Sequence, residues 1–318
     1  MRAVVVGGGS WGSAFAKLLA ERGHEVTLAC RDPKQAQLIA RTGRNPRYLR
    51  DADLAGVAAA PLADAPYAEA ELVAVAVPSR AFAEVVERLP GSCPLLSLSK
   101  GLDPASGRRL STLVRGRAVA VLSGPTFAAE IAAGLPCASV VASEDEDLAV
   151  RLQHEINSAL FRVYVNTDLT GVEFCGAAKN VIALAAGGVD GLGLGDNAKA
   201  GVITRGVAEM TRLGSATGAR PETFAGLAGM GDLMVTCWSR LGRNRRAGEL
   251  IARGATPEQA IAEIGQVVEG VTTAPILRKL ARRLGIELPI TEAVCAVLEG
   301  ASLQALAASL MGRRPRGE

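Results

Sequence analysis

Along the first half of the chain, short apolar runs alternate with segments whose apolar positions recur at helical spacing. The runs at 3–6, 25–29, 57–60, 72–77, 95–98, 119–122, 138–141 and 161–165 are strand-length and bounded by turn residues, so they predict strands. Between them, 13–22, 33–41 and 82–88 carry helical periodicity. This β-then-α rhythm predicts an α/β fold with an N-terminal, doubly wound, mostly parallel sheet. From about residue 172 the pattern changes: 173–186, 203–213, 245–253, 257–264, 272–284 and 291–298 read as helices, and convincing strands disappear. Segment 173–186 is apolar on most faces, which predicts burial nearly all round. The expected organisation is therefore a sheet domain at 1–166 and an all-helical domain at 167–318, ending in a frayed polar tail at 312–318. Ligands are expected between the two, facing the carboxyl ends of the strands.

The first strand, Ala3-Val4-Val5-Val6, runs straight into Gly7-x-Gly9-x-x-Gly12, and an alanine-rich helical stretch follows. A tight glycine turn in that position lets a pyrophosphate approach bare backbone, and the helix offers its first N–H groups to the phosphates. Strand, turn and helix in this order predict a Rossmann-like dinucleotide-binding domain at 1–166; the bland alternative is a glycine-rich turn serving only close packing.

Composition narrows the classes. A chain of 318 residues with 49% hydrophobic and 21% charged residues is expected to be a soluble globular protein. Net charge is only +3, which gives no case for nucleic acid as a partner. No apolar run approaches the roughly 20 residues that span a bilayer, so membrane insertion is not expected. The first strand starts too early to leave room for a signal peptide, and a cytoplasmic location is expected. The six cysteines are scattered singly and there are two histidines, so neither a metal site nor a disulfide framework is expected; buried free thiols are. His24 at a helix-to-strand turn and His154 in a polar helical stretch have no constellation around them, which argues against histidine-based catalysis. Only six of the 35 basic side chains are lysines. Of these, Lys100 and Lys179 lie in apolar or glycine-rich surroundings, whereas Lys17, Lys34, Lys199 and Lys279 look like ordinary helix or loop positions.

In a dinucleotide fold the end of the second strand discriminates between coenzymes. Arg31 stands where an acid would accept from a ribose 2′-hydroxyl, and an arginine there favours a 2′-phosphate, hence NADP(H). Asp32 follows at once and keeps NAD(H) possible, although an acid before Pro33 also reads as a helix cap. Three strand ends carry small residues and hydroxyls, at 77–79, 97–101 and 123–127, and Lys100 adds a cation to one of them. Lys179 interrupts the most apolar helix: a buried amine loses hydration and can exchange a proton, while a snorkelling one reaches solvent. Asp232, in Gly229-Met230-Gly231-Asp232, suits orientation of that amine, or caps a helix. Arg243, Arg245 and Arg246 open a further helix, where guanidinium groups and a helix N-terminus suit a phosphate dianion; a solvated charged face is the alternative. A dinucleotide site, a proton-donating lysine and a phosphate clamp together fit reduction of a small phosphorylated ketone. A reductase of an unphosphorylated hydroxy acid and a non-catalytic NADP-sensing module remain alternatives at this level.

With these residues in view, the chain resembles the bacterial NAD(P)-dependent sn-glycerol-3-phosphate dehydrogenases over essentially its whole length. The likeness is carried by Gly-Gly-Gly-Ser-Trp-Gly at 7–12, Ser-Lys-Gly-Leu at 99–102, Ser-Gly-Pro-Thr-Phe-Ala at 123–128 and Ala-Lys-Asn-Val at 178–181. Ile-Thr-Arg-Gly at 203–206, Ala-Gly-Met-Gly-Asp-Leu at 228–233, Arg-Asn-Arg-Arg at 243–246 and Gly-Gln-Val-Val-Glu-Gly at 265–270 extend it. The resemblance implies an oxidoreductase interconverting dihydroxyacetone phosphate and sn-glycerol 3-phosphate, feeding phospholipid synthesis, with a helical second domain and a possible homodimer. It implies Lys179 as proton donor or acceptor, and substrate contacts from Lys100, Gly124, Thr126, Asp232, Arg243 and Asn244. It implies nucleotide contacts from Ser10, Trp11, Arg31, Tyr48, Lys100, Ala128, Arg243, Val267 and Glu269, beside Gly7, Gly9 and Gly12. Gly242 stands where relatives often carry a serine, so a hydroxyl contact to phosphate is missing there.

Overall fold

The computed structural model describes residues 1–305; the polar tail expected at 312–318 lies outside the described residues. The chain separates into two compact units, Met1–Glu173 and Phe174–Glu318.

The first unit is built on strands β1 (Arg2–Val6), β2 (Glu25–Cys30), β3 (Val57–Pro61), β4 (Leu72–Val75), β5 (Leu95–Ser97), β6 (Val119–Ser123), β7 (Cys137–Ala142) and β8 (Phe161–Asn166). Helices α1 (Ser10–Glu21), α2 (Pro33–Thr42), α3 (Ser79–Arg88), α4 (Ala128–Ala132) and α5 (Glu146–Ile156) lie between them in the chain. The strands form one eight-stranded sheet in the order β3-β2-β1-β4-β5-β6-β7-β8. Neighbours run parallel except β6 and β7, which are antiparallel. The link between that pair carries only the five-residue α4, and the chain turns back rather than crossing over the sheet.

Alternation along β1 shows why its run is uniformly apolar. Ala3 and Val5 join a core with Phe15 and Leu19 of α1 and Ile39 of α2, while Val4 and Val6 join a second core with Tyr67, Phe82 and Leu110. A central parallel strand buries both faces, so hydrophobicity cannot alternate along it. Local capping sets the helices: Asp32 caps α2 by accepting from the Lys34 N–H, Pro33 opens it, and Gly43 closes it in the left-handed region at φ 64°. The strand order reverses between β1 and β4, so a crevice opens at the carboxyl ends of that pair. The glycine turn leaves β1 at this point.

The second unit contains, in the described residues, α6 (Leu169–Gly191, which starts in the first unit), α7 (Gly195–Ser215), α8 (Pro221–Ala225), α9 (Asp232–Trp238), α10 (Arg243–Ala252), α11 (Pro257–Ile264), α12 (Glu269–Leu284) and α13 (Pro289–Leu298). Helix α6 is longer than the apolar pattern implied: 23 residues, with a window of mean hydropathy 1.3. By length and composition alone it could cross a membrane, but 94% of that window is buried inside the protein, as in a core helix. Four of the six free cysteines, Cys30, Cys175, Cys237 and Cys295, are buried; Cys93 and Cys137 are half-buried.

Helices α6 and α10 meet backbone to backbone. A Cβ at Gly248 would fall on the Leu184 carbonyl oxygen, and one at Gly187 on the Arg245 carbonyl oxygen. At Gly270 on α12, a Cβ would stand 2.5 Å from the Asn180 carbonyl oxygen. Three helices thus converge where glycines remove the side chains between them. Buried and half-buried charges fasten the same region. Asp190 Oδ2 accepts from Lys199 Nζ at 2.8 Å and from Arg245 Nε at 2.6 Å, and Lys199 lies 5.1 Å from the centre of the Trp238 ring. Lys199, which in sequence looks like an ordinary helix or loop position, does lie on helix α7 but is a buried cation held by an ion pair. Glu209 on α7, also buried, accepts from the Ile290 and Thr291 N–H groups and the Thr291 hydroxyl, which caps α13; burial pushes its carboxyl above the usual range.

Two glycine substitutions within helices should move stability in opposite directions. Gly248→Ala forces a methyl into the Leu184 carbonyl and is expected to cost about 1–3 kcal/mol. Gly201→Ala, on α7 with nothing within 4 Å of the new Cβ, should instead gain about 0.5–1 kcal/mol. Thermal unfolding of the two variants beside the parent reads both signs.

Candidate functional site

In the first unit the site begins at the glycine turn. Gly7 has φ 120°, and a Cβ there would stand 2.6 Å from the Ala76 carbonyl oxygen just after β4. A Cβ on Gly12 would overlap the Gly7 carbonyl oxygen, so α1 starts directly against the turn. Gly9 differs: nothing lies within 4 Å of its Cβ position, and backbone is exposed there to open space. Helix α1 starts at Ser10 without a side-chain cap, and Trp11 Nε1 is buried with no hydrogen-bond partner among the described residues. Bare backbone, an uncapped helix start and an orphaned donor fit a bound dinucleotide pyrophosphate.

Arg31 is exposed immediately after β2, while the neighbouring Asp32 carboxylate is engaged by Lys34 N–H at 2.9 Å. Tyr48 is half-buried in the loop after α2, with the Arg47 guanidinium 5.5 Å from its ring centre. Lys100, Gly124 and Thr126 are brought together. Lys100 Nζ donates to the Gly124 carbonyl at 2.9 Å and approaches Thr126 Oγ1 at 3.4 Å. Gly124 adopts φ 149°, and a Cβ would stand 2.9 Å from Ser139 Cα, so only glycine lets the β6 end lie against β7 there. Ala128 opens α4, half-buried.

In the second unit the centre is Lys179. Its Nζ donates to Asp232 Oδ1 at 2.5 Å and to Thr236 Oγ1 at 3.0 Å. All three residues are buried, at 6%, 1% and 5% exposure, so the amine does not snorkel to solvent. Asp232 is delivered by a π-turn, Leu227–Gly231, that runs straight into α9. A Cβ at Gly229 within that turn would overlap the Phe224 carbonyl oxygen, which explains the glycine before the acid. Rather than capping α9, the Asp232 carboxylate is turned to the lysine. Cys237 lies in the same region, and burial pushes its thiol up to about 12, so it remains a neutral packing group.

The arginine segment divides by role. Arg243 is exposed at the first position of α10, with Nη1 3.4 Å from Gln266 Oε1, in the link that carries Val267 and leads to Glu269 at the start of α12. Arg245 belongs to the Asp190 ion pair, and Arg246 pairs with Glu263 at 3.0 Å. Asn244 is buried: its Nδ2 donates to Asn180 Oδ1 and its Oδ1 accepts from the Gly270 N–H, both at 2.9 Å. It therefore clasps α6, α10 and α12 beside Lys179. Gly242 also has a packing reason, because a Cβ there would stand 2.5 Å from the Thr236 carbonyl oxygen. The α10 start is uncapped by any side chain.

Two contributors escaped the sequence pattern. Thr236, one helical turn after Asp232, supplies the second oxygen at Lys179 and reads locally as an ordinary helix residue. Asn45, fully buried between α2 and β3, holds the glycine turn, yet in sequence it is only an Asn-Pro loop signal.

The geometry has a counterpart in known proteins. Residues 2–149 match the family model described as NAD-dependent glycerol-3-phosphate dehydrogenase N-terminus, and residues 168–307 match its C-terminus. A Nocardia farcinica protein named glycerol-3-phosphate dehydrogenase [NAD(P)+] is 45% identical, covering 100% of this chain and 99% of its own. A Leptothrix cholodnii protein of the same name is 47% identical, covering 100% of both chains. The crystal structure of glycerol-3-phosphate dehydrogenase from Coxiella burnetii superposes with a TM-score of 0.92 at 36% identity, covering 98% of this chain and 99% of that one. Likeness of this depth over both units means that the chain belongs to the NAD-dependent glycerol-3-phosphate dehydrogenase family.

Proposed function

We propose that this chain interconverts dihydroxyacetone phosphate and sn-glycerol 3-phosphate with NAD(P)(H), supplying glycerol 3-phosphate for phospholipid synthesis. The observation that carries the reading is the buried Lys179–Asp232–Thr236 cluster. Reduction of a ketone places negative charge on its oxygen, which must receive a proton as the alcohol forms. Lys179 Nζ holds that proton, and in the oxidative direction it takes the proton from the hydroxyl. Asp232 keeps the amine charged and Thr236 fixes its direction, so the proton is aimed rather than lost to solvent. When bound, the nicotinamide supplies or receives the hydride.

The remaining roles follow chemistry. The turn at 7–12 holds the pyrophosphate within the dinucleotide domain at 1–166. Arg31 faces a 2′-phosphate, and the capping duty of Asp32 supports NADP(H) as preferred coenzyme with NAD(H) possible. Lys100, with Gly124 and Thr126, meets the substrate near the coenzyme. Arg243 and the uncapped start of α10 bind the phosphate in the helical domain at 167–318, and Asn244 holds that helix end in place. Buried free thiols support a reducing, cytoplasmic setting.

Three substitutions test this assignment. Lys179→Ala should lower kcat by about 10²–10⁴-fold, the range for a lost general acid, while the NADPH dissociation constant stays near the parent value; near-normal turnover overturns the role. Arg31→Ala should raise KM for NADPH about tenfold or more, as expected for a lost charge-assisted contact, and leave KM for NADH little changed. For Arg243→Ala, the expected change is a rise of about tenfold or more in KM for dihydroxyacetone phosphate; an unchanged value locates the phosphate elsewhere.

A further inference from the structure

A glycine turn that binds phosphate through its backbone has no side chains of its own to hold it in shape. The structure supplies the missing restraint from outside. The Gly8 carbonyl oxygen accepts from Gln35 Nε2 at 2.6 Å and from Asn45 Nδ2 at 3.0 Å. The second Nδ2 hydrogen of Asn45 goes to Ser13 Oγ at 2.8 Å, on the first turn of α1. On the other side, Asn45 Oδ1 accepts from Gln35 Nε2, the Arg47 N–H and the Tyr48 N–H, each at 3.1 Å. The amide orientation is unambiguous, because the Gly8 carbonyl only accepts and the Arg47 and Tyr48 N–H groups only donate. Asn45 is 0% exposed, and both its donors and its acceptor are fully used.

A trans peptide is planar, and its C=O and N–H point in opposite directions. Holding the Gly8 carbonyl against Asn45 and Gln35 therefore directs the Gly9 N–H the other way, at the one glycine of the turn whose surroundings are open. The same amide draws in the loop bearing Tyr48 and, through Gln35, the helix that begins just after Arg31. We propose that Asn45 is the positioning residue of the dinucleotide site: it locks the Gly8–Gly9 peptide with its N–H toward the pyrophosphate and ties the Tyr48 loop and α2 to that point. The inference rests on the reading of the 7–12 turn as the pyrophosphate site.

Asparagine is required in this arrangement because a carboxylate of the same shape would set an oxygen against the Gly8 carbonyl and an anion beside the phosphates. Asn45→Asp and Asn45→Ala should each raise the NADPH dissociation constant and KM about tenfold or more, the loss of one or two net hydrogen bonds. KM for dihydroxyacetone phosphate should stay near the parent value, and kcat at saturating NADPH should change far less than KM for NADPH. Gln35→Met keeps the partly exposed stem and removes one donor to Gly8; it should weaken NADPH about threefold or more, and it decides the matter if the Asn45 variants do not fold. Unchanged NADPH affinity in a folded Asn45 variant or in Gln35→Met overturns the proposal, as does a fall in kcat with affinity intact. Parent protein that binds no NADPH would instead overturn the reading of the turn itself, so the two failures are separable.

Discussion

An ammonium group cannot be left bare inside an apolar helix, and much of the second unit follows from that constraint at Lys179. The desolvation cost of a buried ion is several kcal/mol even after relaxation, and breaking a buried pair by removing one partner costs about 3–5 kcal/mol. Helix α6 therefore demands a carboxylate at this depth, and Asp232 supplies it from 53 residues away in sequence. Bringing it there takes the π-turn before α9, which takes a glycine at 229 because the Phe224 carbonyl occupies the side-chain position. Thr236 then shares the amine and returns its own hydrogen bond to the Asp232 carbonyl at 2.5 Å. A group that must be both buried and charged has thereby organised a helix, a turn and two further side chains.

The surrounding helices obey a related economy of space. Gly187 and Gly248 let α6 and α10 touch through backbone, and Gly270 lets α12 approach Asn180. At that separation the Asn180–Asn244–Gly270 hydrogen bonds can form, and the start of α10 is fixed relative to Lys179. The first unit uses the same combination around its glycine turn. Missing side chains permit close approach, and a buried amide, there Asn45, gives the backbone its direction. Small residues bring the chain near the ligand, while buried polar residues decide which way its donors point.

Much of this molecule is legible in short stretches of its sequence. Strand and helix alternation, the strand–glycine–helix junction, the change to all-helical structure and the unusual lysine in an apolar stretch are properties of short windows of chain. Steric freedom at Gly7 and the apolar character of α6 on nearly every face act over a few residues, so local sequence determines them. Asp232 could be picked as a partner for Lys179 because it offers a carboxylate in a glycine-bounded turn. The tertiary structure alone decided the rest. Asn45 looks like a loop asparagine, Thr236 like a helix filler and Lys199 like an ordinary helix or loop lysine, until packing buries them. The antiparallel β6–β7 pair and the clasp role of Asn244 are equally silent in sequence. The reason is physical: periodicity and backbone freedom are local, but the partner of a buried polar group is whichever group the packed chain brings within hydrogen-bond distance, and that choice is made across long separations.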